Sequence, residues 1–126
     1  MIGIDLIKTT RMEHLIERFG EKALQRFLHN SEISLVKNFK TAAGFWAVKE
    51  AFSKAIGTGI GSICSFHDIK IYKDAKGAPK LAVAKHLVQK YQIIDTALSI
   101  THDGEYAIAV VTLSVESSTT NKIKQF

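Results

Sequence analysis

Asp5, Glu50, Ser53, Lys54 and Gly57 are the residues of this chain whose types and spacing can do chemistry. Placed on a helix, the stretch W-A-V-K-E-A-F-S-K (46–54) and its neighbours separate into two faces. Phe45, Val48, Phe52, Ala55 and Ile56 fall at i, i+3, i+7, i+10 and i+11, one apolar stripe. Glu50, Ser53, Lys54 and Gly57 fall at i, i+3, i+4 and i+7, a second, polar stripe. A carboxylate and an ammonium one turn apart, with a hydroxyl and a glycine beside them, can hold a cation and a phosphate together. Asp5 lies in the strand-like run I-G-I-D-L, where a charge is expensive without a partner.

Two carboxylates on separate elements can hold one hard cation. Magnesium takes about six oxygens, often only one or two of them from protein, and leaves the rest to water and substrate phosphate. Asp5 and Glu50 as a pair therefore imply a phosphorylated substrate. Lys54, as a point charge, can hold a diphosphate and neutralise charge on a leaving phosphate. The competing reading is a surface ion pair of Glu50 with Lys54 or Lys49, worth well under about 1 kcal/mol. That reading leaves Asp5 unexplained. Gly57, Gly59 and Gly61 offer bare backbone for close approach of a ligand, but a helix C-terminus has the wrong dipole for an anion, which favours a cap and turn over a phosphate nest. His102 ends a strand beside a tight turn, either solvated or reaching a ligand phosphate. His14, His29, His67 and His86 show no clustering, and Cys64 reads as a small core residue.

The elements that must position these residues follow from periodicity. Residues 2–7 read as a short buried strand. Thr9 or Thr10 caps the next helix, with Glu13 at capping-box distance from Thr10, and Gly20 interrupts it. Asn30 or Ser31 caps a short segment carrying Ile33, Leu35 and Val36. The helix of the two faces spans about 41–56 and ends at Gly57-Thr58-Gly59. The period then changes. Strands are predicted near 68–73, at 79–83 with Pro79 at its start, and at 97–102 and 106–113, the last two joined by Asp103-Gly104-Glu105. A short helix falls around Leu87, Val88 and Tyr91. Helices first, then mainly antiparallel strands, make the class α+β. One domain over 1–113 and a polar tail over 114–126 are expected.

With 126 residues and 46% hydrophobic content, the chain fits one compact domain with a real core. Its formal charge of +5 favours anionic partners. The basic residues are dispersed, and the phenylalanines sit at helical spacings that suit a core better than a base-stacking platform, so nucleic acid is not an expected partner. No apolar run approaches the roughly 20 residues that span a bilayer, and no secretory leader pattern opens the chain. One cysteine and no zinc-spaced cluster fit a reducing, cytoplasmic setting without a membrane partner. Two other classes compete: a basic nucleic-acid module, which leaves Asp5 and Glu50 idle, and a purely structural oligomer subunit.

G-I-D (3–5) followed downstream by W-A-V-K-E-A-F-S-K (46–54) resembles the signature of the 4′-phosphopantetheinyl transferases. The continuation A-F-S-K-A-I-G-T-G-I-G (51–61), D-I-K-I (68–71), G-A-P (77–79) and S-I-T-H (99–102) resemble the small, single-domain holo-[acyl-carrier-protein] synthase type, in order, over about residues 2–113. The resemblance implies a magnesium-dependent transfer of 4′-phosphopantetheine from coenzyme A to a serine of apo acyl carrier protein, with release of 3′,5′-ADP, as part of fatty acid biosynthesis. It implies Asp5 and Glu50 as metal ligands, and Glu50 and Lys54 as the catalytic pair, with Lys54 on phosphate. Gly57, Gly59, Pro79 and His102 would line the nucleotide part of coenzyme A, and Arg11 and Arg18 would meet the acidic carrier protein. It further implies a homotrimer with active sites at subunit interfaces. The base for the serine proton stays open among Glu50, the more distant Glu32 and a water on the metal. The chain departs from the pattern at Phe45-Trp46, where the family commonly has Arg-Phe.

Overall fold

The structure, a computed structural model, describes residues 1–116 and 123–126. Eleven elements follow in order: strand β1 (Ile2–Lys8); helices α1 (Thr9–Phe19), α2 (Glu21–Gln25), α3 (Asn30–Ile33) and α4 (Phe39–Ala55); a 3-10 turn (Phe66–Asp68); strands β2 (Ile69–Lys73) and β3 (Pro79–Val83); helix α5 (Lys85–Tyr91); and strands β4 (Ile93–Asp103) and β5 (Tyr106–Val115). The α+β class expected from the sequence is what the chain adopts. All strand pairs are antiparallel, in a three-stranded sheet ordered β1-β5-β4 and a two-stranded sheet of β2 and β3.

The core forms where α4 lies on the inner face of the larger sheet. Asn38 starts α4: its Oδ1 accepts from the backbone N–H groups of Lys40 (2.9 Å) and Thr41 (3.2 Å). Ala42, Ala43, Ala47, Ala51 and Ala55 are small and buried, so the sheet approaches the helix closely. Closest is Gly3 of β1, where a Cβ would run into the Ala51 carbonyl oxygen and lie 2.7 Å from the Ala55 nitrogen. Glycine here permits the approach of two backbones. The apolar stripe is buried as its spacing demands: Phe45, Val48, Phe52, Ala55 and Ile56 all face the core.

Several local expectations are corrected. β1 is an edge strand buried on one face alone, with Ile2, Ile4 and Leu6 pointing outward at 58–69% exposure. No capping box forms at Thr10. The helix starts directly after the strand, and Thr9 donates from both its backbone N–H and its hydroxyl to the Glu105 carbonyl (2.7 and 3.1 Å). At α3 the cap is His29 rather than Asn30 or Ser31, its N–H donating to Glu32 Oε1 at 2.8 Å. β4 begins four residues before the expected start, because Gln92 turns the chain in the left-handed region (φ 52°) and a bulge between Ile93 and Asp95 breaks the alternation. β5 continues to Val115, two residues past the expected boundary at 113. The rest of the expected tail falls partly on residues 117–122, outside the described residues.

Candidate functional site

The close packing of Gly3 on Ala51 and Ala55 carries Asp5, two residues along β1, to the flank of α4 where Lys54 emerges. Lys54 Nζ donates to Asp5 Oδ1 at 3.0 Å and to the Ile4 carbonyl at 3.2 Å. An ammonium has three donors, so among the described residues one remains to point elsewhere. The Asp5 side chain is 14% exposed and that of Lys54 is 52% exposed, so a largely covered carboxylate meets a half-exposed ammonium at the protein surface. Glu50, one turn before Lys54, is half-buried on the same flank. Burial pushes its carboxyl above the usual range. The neighbouring Asp5 charge pushes the same way, and Lys54 and Arg11 partly offset the rise. Strand and helix thus bring together four of the residues singled out in the sequence: Asp5, Glu50, Lys54 and Arg11. Ser53 is not among them: it is buried, and its hydroxyl donates to the Glu50 carbonyl at 2.7 Å.

Two carboxylates close enough to raise a proton affinity are a site short of positive charge. Their hard oxygens suit a hard cation, and the lysine beside them partly supplies the missing charge. Among the described residues no group of three or more His, Cys, Asp or Glu side chains is arranged to hold a metal ion. An ion held by Asp5 and Glu50 would therefore share its shell with ligands from outside the chain.

The glycine segment behaves as a cap. Gly57 (φ 83°) and Gly59 (φ 66°) are left-handed, and the N–H groups of Thr58 and Gly59 both donate to the Ser53 carbonyl at 3.0 and 3.2 Å. The turn nonetheless emerges directly after Lys54. Pro79 opens β3 opposite Lys73, across a turn that Asp74 fixes by accepting from the N–H groups of Lys76 and Ala78 at 2.9 Å each.

His102 lies elsewhere. Its Nε2 donates to the Lys40 carbonyl at 3.0 Å, in the first turn of α4, and Gly44 leaves room for the ring. Lys40 and Lys54 are fourteen helical residues apart, which at 1.5 Å per residue is about 20 Å. Within one chain His102 and the Gly57–Gly59 turn are at opposite ends of α4.

Arg11 and Arg18 lie two turns apart on α1. The Arg18 guanidinium stacks 5.1 Å from the Phe19 ring, with Arg26 5.6 Å from the same ring. Beside them a groove of about 210 Å³ is lined by Leu15, Phe19, Ala23, Arg26, Trp46 and Phe66. Trp46 packs against Phe27 (5.1 Å between ring centroids) and Phe66 (4.6 Å), and Phe45 is buried. The Phe45-Trp46 pair therefore serves the core and the groove, and at Phe45 an aromatic core side chain stands where the resembling family commonly has arginine.

Sequence reasoning missed the role of Lys49. It is fully buried, and its ammonium donates to Glu32 Oε1 (2.8 Å), the Phe27 carbonyl (2.7 Å) and the Phe66 carbonyl (3.1 Å). Burial pulls the ammonium below the ordinary lysine range, and Glu32 opposes that pull. Glu32 also accepts from the N–H groups of His29 and Ile71. This occupied, buried carboxylate is not a base for substrate, and Lys49 is not a surface partner of Glu50. The available signal was helical register: Lys49 falls at i+4 from Phe45 and i−3 from Phe52, inside the apolar stripe. The histidines cluster more than their spacing suggests. His29 and His67 stack edge to face at 5.3 Å, each bonding a backbone carbonyl, and His86 lies 3.7 Å from Asp68. Cys64 is a buried core residue whose thiol is pushed up to about 11, first by burial.

The model of the 4′-phosphopantetheinyl transferase superfamily matches residues 1–111. The holo-[acyl-carrier-protein] synthase of Sulfurimonas denitrificans is 59% identical over 123 residues, covering 98% of this chain and all of that protein. The synthase of Aliarcobacter butzleri is 58% identical, covering 88% of this chain and 94% of its own length. Among solved structures, the Helicobacter pylori holo-[acyl-carrier-protein] synthase in complex with coenzyme A superposes with a TM-score of 0.87 at 46% identity, covering 90% of this chain and all of that one.

Proposed function

The chain belongs to the 4′-phosphopantetheinyl transferase superfamily, among its holo-[acyl-carrier-protein] synthases, and we propose that it moves 4′-phosphopantetheine from coenzyme A to a serine of apo acyl carrier protein, with magnesium, releasing 3′,5′-ADP. The observation that carries this reading is the convergence of Asp5, Glu50 and Lys54 on one flank of α4. Asp5 and Glu50 would hold a magnesium ion from the strand and the helix, and the bound ion would supply charge neutralisation for the diphosphate. Lys54 keeps one donor for a phosphate oxygen while still tied to β1. The serine hydroxyl gives up its proton to water at the site, its oxygen bonds to the phosphorus of the pantetheine-side phosphate, and the bond to the 3′,5′-ADP oxygen breaks. The electron pair leaves on that oxygen, and Lys54 is placed to stabilise it.

Coenzyme A lies, on this reading, across two copies of the chain. Gly57, Gly59 and Pro79 approach its nucleotide from one copy. His102, about 20 Å from Lys54 along α4, reaches it from the next copy. The outer face of the larger sheet supports that assembly. Ile2, Ile4 and Leu6 stand exposed beside Thr112, Val110 and Ile108 of β5, an apolar patch of the kind that copies of a chain cover. A closed trimer satisfies both features. The carrier protein docks on α1, where Arg11 and Arg18 offer charge to acidic residues and the adjoining groove offers apolar area. Among the described residues no helix is long and apolar enough to cross a membrane, which fits work on a cytoplasmic carrier of fatty acid synthesis.

Chromatography of the nucleotide product tests this reading. Protein, coenzyme A, apo carrier protein and magnesium should yield 3′,5′-ADP, and chelating the metal should stop its formation. No 3′,5′-ADP with any carrier protein of the same source would overturn it.

A further inference from the structure

Resting on the reading that Asp5 and Glu50 share a divalent ion, we propose that Lys49 and Glu32 are positioning residues for Glu50, setting the roll of α4 that aims its carboxylate at Asp5. Successive helix residues are about 100° apart, so Lys49 and Ala51 emerge on either side of Glu50. Each flank is pinned differently. On the Ala51 side, the β1 backbone at Gly3 rides against the helix backbone. On the Lys49 side, three hydrogen bonds from one ammonium tie α4 to the Phe27 carbonyl, to Glu32 of α3 and to the Phe66 carbonyl of the 3-10 turn. Glu32 passes the tie on to β2 through the Ile71 N–H at 2.8 Å.

The network is closed. All three ammonium donors are used, both Glu32 oxygens accept, and neither side chain is exposed. Such a pair is weak evidence for stability, since apolar side chains of similar volume often fill the space as well. What it supplies is direction: a buried ammonium with three fixed acceptors has one low-energy place to be. Rolling α4 by about 10° would swing a carboxylate about 6 Å from the axis by about 1 Å, beyond the roughly 0.5 Å tolerance of a working site. Glu50, half-buried and repelled by Asp5, has among the described residues no ion pair of its own to hold it against that roll.

The test is calorimetric and uses the full chain without carrier protein, so that no turnover occurs. Coenzyme A is titrated into wild type, Glu32→Gln and Lys49→Met, once with chelator and once with Mn²⁺. Near-UV circular dichroism of Trp46, which packs on Phe27 and Phe66, checks that each variant is folded. In Glu32→Gln the gain in coenzyme A affinity from Mn²⁺ should fall roughly tenfold, as for loss of an outer-shell partner of a metal ligand, while the metal-free affinity stays within about twofold. Lys49→Met, which strands a buried carboxylate, should lose at least as much of the gain; if it does not fold, Glu32→Gln decides alone. A wild-type Mn²⁺ gain in folded variants, whatever their melting temperatures, would overturn the positioning role and leave the metal reading standing. Absence of any Mn²⁺ gain in wild type would overturn both.

Discussion

Lys54 and Asp5 form an ion pair of 3.0 Å between the end of α4 and the middle of β1. With Lys54 half exposed, this pair contributes at most about 1 kcal/mol to stability. The pair gathers the polar face of α4 and the charged residue of the first strand at one point. Asp5→Asn and Glu50→Gln should each lower turnover by about 100-fold or more, with the magnesium requirement shifted upward. Asp5→Asn should leave the melting temperature within about 5 °C of wild type. Initial rates across a magnesium titration, beside a thermal melt, check this. Full turnover in either variant would remove that residue from the metal site.

Glu50 makes a pH prediction. Its folded carboxyl binds a proton more tightly than the ordinary value of 4.5, chiefly through burial and then through Asp5. Ionising it in the folded state therefore opposes folding. The opposition is absent at low pH, where the group is protonated both folded and unfolded, and complete once pH exceeds the raised value. Metal-free Glu50→Gln should thus melt slightly higher than wild type at pH 7, by about 1–2 °C, and the difference should vanish as pH falls to about 4. Thermal melts in chelator across that range read it. A variant that melts lower at pH 7 would mean that Glu50 is a stabilising charge.

Gly3 makes a packing prediction. Gly3→Ala places a methyl group against the Ala51 carbonyl and Ala55 nitrogen, both backbone atoms that cannot turn aside. The variant should lose about 1–3 kcal/mol or more of stability and shift Asp5 away from Lys54, as urea unfolding and a metal titration would show. Gly57→Ala, where a Cβ meets open space but φ is 83°, should lose only about 1 kcal/mol.

How much of this was legible beforehand depended on whether the signal was local. The apolar stripe of α4, the Gly57 stop and the Asp103–Glu105 hairpin were read from spacing, because periodicity and turn chemistry act over a few residues. Asp5 stands out in the sequence as an oddity, a charge in an apolar strand, but its ion pair with Lys54 follows only from the packing of β1 on α4. The Lys49–Glu32 pair was not read, since charged residues on a helix are usually solvated and the buried acceptors arrive from Phe27 and Phe66, remote in sequence. The cap at Thr9 failed for a related reason. Its hydroxyl is claimed by Glu105 across the sheet rather than by its own helix. The outward aliphatics of β1 read as part of a buried strand because an apolar run does not say which of its faces the core covers.

The proposed two-copy site makes an oligomer prediction. Ile4→Asp, on the exposed face of β1, should shift the protein to a monomer in sedimentation and abolish turnover. Asp5→Ala and His102→Ala, each poorly active alone, should regain activity when unfolded together and refolded. At equal mixing the return should be about a quarter of wild type, the chance that an intact Asp5 and an intact His102 meet at one interface. No recovery would place both residues in one subunit's site.

The most direct test of the central claim is the intact mass of an acyl carrier protein after incubation with this chain, coenzyme A and magnesium. The carrier should gain one phosphopantetheine on a serine, chelator should prevent the gain, and Glu50→Ala should fail to produce it while remaining folded. An unchanged carrier mass with folded wild-type protein, or an undiminished gain with Glu50→Ala, would contradict it.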